Sequence, residues 1–320
     1  MSSMLAVEAH ERGGPENLHV ERVDRPEPPP GEVLVEVRAA GITPTELTWD
    51  TTWTTKAGTS RLPTIPSHEV SGVVVTAGDR SATWVVGDEV YGLIDFSHNG
   101  AAAEYVSVPT EDLARKPKSV DHLHAAALPL SALTAWQGLF KHAGLQEHQR
   151  LLVHGAAGGV GSYAVQLGRN AGATVIGTAS ALDEQLVKAL GAHEVIDYKT
   201  RPFEGAVTDV DVVFDTVGGD VQRRSWKVLK PGGALVSIVE QPSAELAEQH
   251  HARGVMFIVE PDGNDLGAIA SLVDNGDLTP IVSAVFPLRD GPTAYVTGLR
   301  EHVPGKIVLD VRDASRPTRM

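Results

Sequence analysis

The chain has 320 residues, 42% of them hydrophobic, a formal net charge of -14 and no cysteine. This length calls for two domains rather than one core. The acidity argues against a nucleic-acid partner, and the missing thiols exclude disulfides and every zinc site that needs sulfur. The start, Met1 to Glu11, has no basic end ahead of an apolar core, and no apolar run approaches the ~20 residues of a bilayer span. The expected location is therefore the cytoplasm, with no membrane partner.

Taken in chain order, the first third reads as β. Four prolines within residues 26–30 form a stiff extended connector. Residues 31–38 then alternate apolar and charged side chains, the pattern of a half-buried strand. Residues 69–75, 88–92 and 104–108 are further short strands bounded by turn residues. Together they suggest a small, mostly antiparallel barrel or sandwich. Beyond residue 121 the pattern changes. Residues 125–140 are rich in Ala and Leu and read as helix. Strands at 151–154, 174–178, 210–214 and 234–238 then alternate with helices at 160–170 and 183–190, which implies a parallel, doubly wound sheet. The tail, 306–311, is strand-like again and is expected to return to the first domain.

His154-Gly155-Ala156-Ala157-Gly158-Gly159-Val160-Gly161 joins a strand to a helix. Glycines at such a junction let the backbone approach a pyrophosphate, and the helix N-terminus offers it N–H groups and a partial positive charge. A glycine-rich turn with no ligand is the competing reading, and the strand–turn–helix–strand order favours the nucleotide. The next strand ends in Thr178-Ala179-Ser180, where NAD enzymes place an acid for the ribose hydroxyls. A serine there can donate to the 2′-phosphate of NADP, so the expected cofactor is NADP(H).

Several further segments occur in a familiar order: 31–35, Ala39-Ala40-Gly41-Ile42, 66–73, 86–90, 128–136, Asp215-Thr216-Val217-Gly218-Gly219, 229–233 and 305–308. With the glycine loop they cover nearly the whole chain. In this combination the sequence resembles the zinc-free medium-chain dehydrogenases/reductases, especially the quinone oxidoreductases and ζ-crystallin-like proteins. The resemblance implies an α/β protein with a GroES-like, mostly-β catalytic domain at 1–122 plus 280–320. It implies a Rossmann domain, a doubly wound parallel sheet that binds NADP, at 123–279.

Zinc-dependent members of that superfamily have a Cys after the Ala-Ala-Gly turn, a His before the Glu-x-x-Gly segment, and a later Cys or similar ligand. Those positions hold Thr43, His68 and Leu130 here, so no metal is expected. His68 is read as a hydrogen-bonded structural histidine. The departure at Thr43-Pro44, where relatives carry Asn-Pro, makes Thr43, Trp49, Trp53 and Phe257 the candidates for the substrate pocket. The tryptophans could equally pack the domain edge, and no catalytic acid stands out, so water is the default proton source.

The resemblance also implies a track for the cofactor. Thr134 lies toward the nicotinamide, Ala157, Gly158, Gly159 and Val160 hold the pyrophosphate, and Ser180 and Tyr198 flank the adenine ribose. Val217, Ile238, Phe257, Ile258 and Val259 face the nicotinamide, with sheet core as the rival reading for these apolar side chains. Lys306 is a contact from the returning strand or only a surface lysine. Relatives often carry Lys shortly after the serine, where this chain has Asp183. The expected activity is hydride transfer from NADPH to a quinone or α,β-unsaturated carbonyl by a homodimer. The alternatives are a zinc-independent alcohol dehydrogenase and a non-catalytic NADPH-binding sensor or structural protein.

Overall fold

The computed structural model describes residues 2–55, 57–77 and 83–312. The chain divides into two compact units, residues 1–130 with 260–320, and residues 131–259. No helix among the described residues is long and apolar enough to cross a membrane.

The first unit opens with a hairpin of β1 (Ser3–Ala9) and β2 (Leu18–Asp24). Next come β3 (Glu32–Ile42) and a 3-10 helix (Pro44–Thr48), then one helical turn, α1 (Asp50–Trp53). β4 (Glu69–Ala77), β5 (Glu89–Leu93), β6 (Tyr105–Pro109) and β7 (Leu113–Arg115) follow, then α2 (His122–Ala126). The unit boundary falls within α3 (Pro129–Trp136), which continues as a π-helix over Gln137–Ala143. The single helix expected at 125–140 is thus broken into three pieces.

In the second unit, β8 (Arg150–His154) leads into α4 (Gly159–Asn170), and β9 (Thr174–Ala179) into α5 (Glu184–Ala189). β10 (Glu194–Asp197), β11 (Val210–Asp215), α6 (Gly219–Ser225), β12 (Leu229–Ser237), α7 (Ala244–Gln249) and β13 (Arg253–Met256) complete it. The chain then returns to the first unit with α8 (Gly263–Asn275), β14 (Val282–Pro287), α9 (Gly291–Arg300) and β15 (Lys306–Asp310).

The sheet of the first unit is mixed. β14 pairs with β15 in parallel, and β15, β3, β4, β5 and β7 then follow antiparallel. β3 is long enough to pair with β6 through Glu32–Glu36 and with β15 through Ala39–Ile42. Valines at 33, 35, 37, 70, 74, 90, 106 and 108 are buried along these strands, and they and the hairpin's Leu5 and Val7 share one core. The second unit is an all-parallel sheet in the order β10-β9-β8-β11-β12-β13. Its strands fan in opposite directions from the β8/β11 pair, the doubly wound arrangement with its switch point there.

The boundaries differ from the expected 122/123 and 279/280. Ala126 and Ala127 pack with Ala39 and Val308 in a small core, which ties the segment before residue 130 to the first unit. The Tyr91 hydroxyl donates to the Leu266 carbonyl at 2.6 Å, which ties α8 to it as well.

Candidate active site

In the second unit, β8 leads directly into the glycine loop. Gly155 has φ +68°, a conformation that suits a residue without a Cβ. A Cβ on Gly161 would lie 2.1 Å from the Gly155 carbonyl oxygen, so only glycine lets α4 start this close to the strand. The loop is held from both sides. The Ala156 amide donates to the Thr178 carbonyl on β9 at 3.0 Å, and the Gly158 amide to the Gly155 carbonyl at 2.9 Å. α4 starts at Gly159 with no side-chain cap at its N-terminus. A tight glycine turn running into an uncapped helix start, beside the switch point of a parallel sheet, fits a dinucleotide pyrophosphate.

The other cofactor candidates lie on the same edge of the sheet. Ser180 follows β9, Tyr198 follows β10, Val217 follows β11, Ile238 follows β12 and Phe257 follows β13. The Tyr198 amide bonds the Ala179 carbonyl, which sets Tyr198 beside Ser180. The turn carrying Val217 is organised by buried Asp215. Its Oδ1 accepts from the Val217 and Gly218 amides at 3.0 and 2.9 Å, and its Oδ2 from Ser237 Oγ and Gln222 Nε2. Thr216 Oγ1 donates back to the His154 carbonyl at 2.8 Å. Val217 is exposed, Ile238 half-buried, and Ile258 68% exposed. Thr134 and Val259 are buried.

Two of these expectations are revised. Ser180 does not stand in a corner free of acid. The chain folds back in a 3-10 turn, Ala181–Asp183, and Ser180 Oγ donates to buried Asp183 Oδ2 at 2.6 Å. Phe257 reads as core rather than pocket wall. It is buried, its ring lies 4.3 Å from that of His142, and with Phe214 it closes over Gly138, where a Cβ would meet both rings.

The first unit holds a buried polar cluster at the end of its sheet. Gly41 on β3 lies opposite Glu69 on β4, and Ile42 opposite Ile307 on β15. One further step in that register sets Thr43 against Lys306. The Lys306 ammonium donates to Glu69 Oε1 and, at 3.0 Å, to Thr43 Oγ1. Glu69 Oε2 accepts from the Leu130 amide at 3.0 Å. Glu69 and Lys306 are 1% and 5% exposed, whereas Thr43 is half-buried. Lys306 is thus not a surface lysine, and two of its three ammonium donors are spent inside the unit.

Next to this trio, the 3-10 helix between Thr43 and Trp49 carries Glu46, a second buried carboxylate. Glu46 Oε2 accepts from the Ser67 amide and pairs with His68 Nδ1 at 3.1 Å, and Oε1 accepts from the Tyr295 hydroxyl at 2.5 Å. Burial first, then the Glu46 charge, hold the Tyr295 phenol far above its usual ionisation range, so it stays a donor. His68 Nε2 faces the His98 carbonyl at 3.2 Å. Phe96 stands edge-on to both His68 and Trp49, with centroids at 5.1 and 5.5 Å. Trp53 is 2% exposed and donates its indole N–H to the Leu47 carbonyl. It belongs to the core, and the half-buried aromatic beside Trp49 is Phe96, which the sequence reading did not single out.

Two alcohol dehydrogenase family models match the chain. The alcohol dehydrogenase GroES-like domain covers residues 29–118, and the zinc-binding dehydrogenase model covers 190–309. A probable zinc-binding oxidoreductase, mitochondrial, of Arthroderma benhamiae is 35% identical over 308 residues, covering 90% of this chain and 92% of that protein. The chain belongs to the medium-chain dehydrogenase/reductase family, in its quinone and enone oxidoreductase branch. The NADPH-dependent alkenal/one oxidoreductase, chloroplastic, of Arabidopsis thaliana is 33% identical, covering 93% of this chain and 77% of that one. The solved structure of the quinone oxidoreductase from Coxiella burnetii superposes with a TM-score of 0.90 at 32% identity, covering 97% of this chain and 100% of that one.

The zinc in the family description does not fit this donor set. Thr43 accepts from an ammonium, the Leu130 side chain has no ligand atom, and both ring nitrogens of His68 face oxygen acceptors. A tetrahedral N/S site cannot be assembled from them. Elsewhere, Glu8, His10 and Glu21 meet on the β1–β2 hairpin, where exposed His10 bonds Glu21 at 2.5 Å as a surface ion pair. The expected cytoplasmic location does not stand. The fungal relative is a mitochondrial protein by name, and so are four vertebrate relatives.

Proposed function

We propose that the protein reduces quinones or α,β-unsaturated carbonyl compounds with NADPH. The observation that carries this reading is the pairing of a dinucleotide cradle with a first metal-ligand position that holds Thr43, bonded to the ammonium of the Lys306–Glu69 pair. Bound NADP(H) supplies the hydride. Ala157, Gly158, Gly159 and Val160 would hold its pyrophosphate, and Ser180 and Tyr198 its adenosine ribose. Val217 and Ile238 would bear on the nicotinamide, and Thr134 and Val259, both buried, are the further candidates toward it.

An alcohol must lose a proton before it yields hydride, and a metal dication stabilises that alkoxide by several kcal/mol. The Thr43–Glu69–Lys306 cluster, with an ammonium on its one carboxylate and on the hydroxyl, is not a donor set that suits a dication. A quinone or enone is already electrophilic, and the negative charge that develops is delocalised, so hydrogen bonds and positioning suffice. Trp49 and Phe96 give the first unit a half-buried aromatic face suited to a flat, conjugated substrate.

A homodimer belongs to this reading. The parallel sheet ends at β13, whose exposed Met256 would lie at an edge open to a second copy. Sedimentation of the purified protein is expected to give twice the mass of one chain.

The deciding assay follows NADPH oxidation with 1,4-benzoquinone, naphthoquinones and small enones, beside NADP reduction with primary and secondary alcohols. Turnover is expected with at least one quinone or enone class. Fast alcohol oxidation without it would replace this reading by an alcohol dehydrogenase, and tight NADPH binding without any turnover by a sensor.

A further inference from the structure

In the first unit, one hydroxyl occupies an unusual position. Thr43 Oγ1 accepts a hydrogen bond from the Lys306 ammonium at 3.0 Å. Its own proton faces only Glu69 Oε1, at 3.3 Å, which is long for an O–H···O bond. That carboxylate oxygen also accepts from the ammonium, so it is shared between two donors. Thr43 is therefore a hydroxyl polarised by a cation on its lone-pair side, with a weakly held proton. It is also the one member of the trio that is not buried. The neighbouring Glu46–His68–Tyr295 group offers no such donor. Its carboxylate oxygens, both imidazole nitrogens and the phenol are all engaged with one another, with Ser67 or with His98.

We propose that Thr43 is a catalytic residue that donates its hydroxyl proton to the substrate's carbonyl oxygen, with Lys306 as the positioning residue that polarises and reprotonates it. This rests on the quinone/enone reading above and supplies the proton source that reading lacks. As hydride adds to the conjugated carbon, the electron pair of the C=C bond moves toward the carbonyl, and the carbonyl π pair comes to rest on oxygen. The Thr43 O–H bond breaks toward that oxygen and forms an enol. One N–H bond of Lys306 breaks to restore the Thr43 hydroxyl, and the amine regains its proton from water. The enol tautomerises to the saturated ketone from an enone, or to the hydroquinone from a quinone. Two electrons and one proton have then joined the hydride's hydrogen on the substrate, and NADPH has become NADP+. A cation-backed hydroxyl beside the reacting oxygen meets the developing charge with little reorganisation.

The test uses the full-length enzyme with Thr43→Val, which keeps the shape and removes the hydroxyl, and with Thr43→Ser, which returns it. For a naphthoquinone and an enone, Thr43→Val should lower kcat about a hundredfold, the order seen when one oxyanion donor is removed. KM should change far less, and Thr43→Ser should recover most of the loss. A second readout needs no turnover. 4-Nitrophenol, bound to the NADP+-loaded enzyme as a stand-in for the product hydroxyl, should ionise about one pH unit below its free value by absorbance. That shift should disappear in Thr43→Val, or in Thr43→Ala should the valine variant not fold by circular dichroism. Unchanged kcat in Thr43→Val, or nitrophenol ionising alike in the wild-type complex and in solution, would overturn the assignment to Thr43. Absence of turnover with every quinone and enone in the unsubstituted enzyme is a different result, and it would remove the reductase reading itself.

Discussion

Ser180 and Asp183 close the end of β9, the corner proposed above to hold the adenosine ribose. The sequence places the serine there, but it does not show that a 3-10 turn swings Asp183 back onto it at 2.6 Å. A carboxylate at this spot accepts from free ribose hydroxyls and repels a 2′-phosphate. Asp183 therefore works against the NADP preference that Ser180 supports. Replacing it by asparagine removes the charge and keeps the size. Asp183→Asn is expected to raise the NADPH-over-NADH ratio of kcat/KM about tenfold, equivalent to ~1.4 kcal/mol. An unchanged ratio would place the carboxylate away from the ribose. Lys306 shows the same limit of sequence reading. Its partner Glu69 lies 237 residues earlier, so the residue alone does not distinguish a buried, ion-paired lysine from a surface one. Trp53 is a third case, because the indole bond to the Leu47 carbonyl that marks it as core is visible only in the fold.

At the level of elements, what was legible was patterned rather than merely buried: β1 is buried at six of seven positions and went unread, whereas the alternating β6 was placed. β3, β4 and the parallel strands β8, β9, β11 and β12 carry dense apolar patterns, and all were placed from the sequence. β2 and β14 are mostly half-exposed, with burial patterns that mimic loops, and they left no usable signal. α8 and α9 went unread, as did the break of α3 into a π-helix. The glycine loop was legible because its backbone constraints are written directly in residue identity. His154, at the end of β8, was not singled out. It is buried between Thr178 Oγ1 at 3.1 Å and Ser225 Oγ at 2.9 Å, and so joins β8, β9 and α6. Burial pushes its imidazole down to about 4, an effect that the nearby Asp215 charge only partly offsets. The unfolded chain takes up this proton near the ordinary histidine value, about 6.5, while the folded chain resists it until about 4. Stability should therefore fall as pH drops through that window, by roughly 3 kcal/mol from this group. Urea midpoints measured between pH 7.5 and 4.5 should decline less steeply for His154→Gln than for the unsubstituted protein. Parallel curves would show that another group carries the acid sensitivity.

On the scale of the whole molecule, the cluster at the sheet end of the first unit sets a clear expectation about metals. The Lys306 ammonium sits on the Glu69 carboxylate and on Thr43 Oγ1, and a dication entering there would have to displace it from a buried carboxylate. Prolonged dialysis against a strong chelator should leave quinone or enone turnover within about twofold of its starting value, well under the 1.4 kcal/mol of a tenfold change. Loss of activity on dialysis, restored by zinc, would contradict the donor-set argument.

The discontinuous build of the first unit has a consequence for how the protein comes to exist. β15 is laid between β14 and β3, so the sheet begun by Glu32–Ile42 is closed by residues 306–310. The second unit, by contrast, is one unbroken stretch, 131–259. On a ribosome, the nucleotide-binding sheet has all its strands available while the opening unit still waits for its last one. During that wait, Glu69 has no cation and β3 keeps a raw edge, the kind of surface that chaperones hold and neighbouring chains capture. Arrival of Lys306 thus marks the end of a vulnerable interval. The residue assigned above to reprotonating Thr43 also completes the sheet on which that hydroxyl sits.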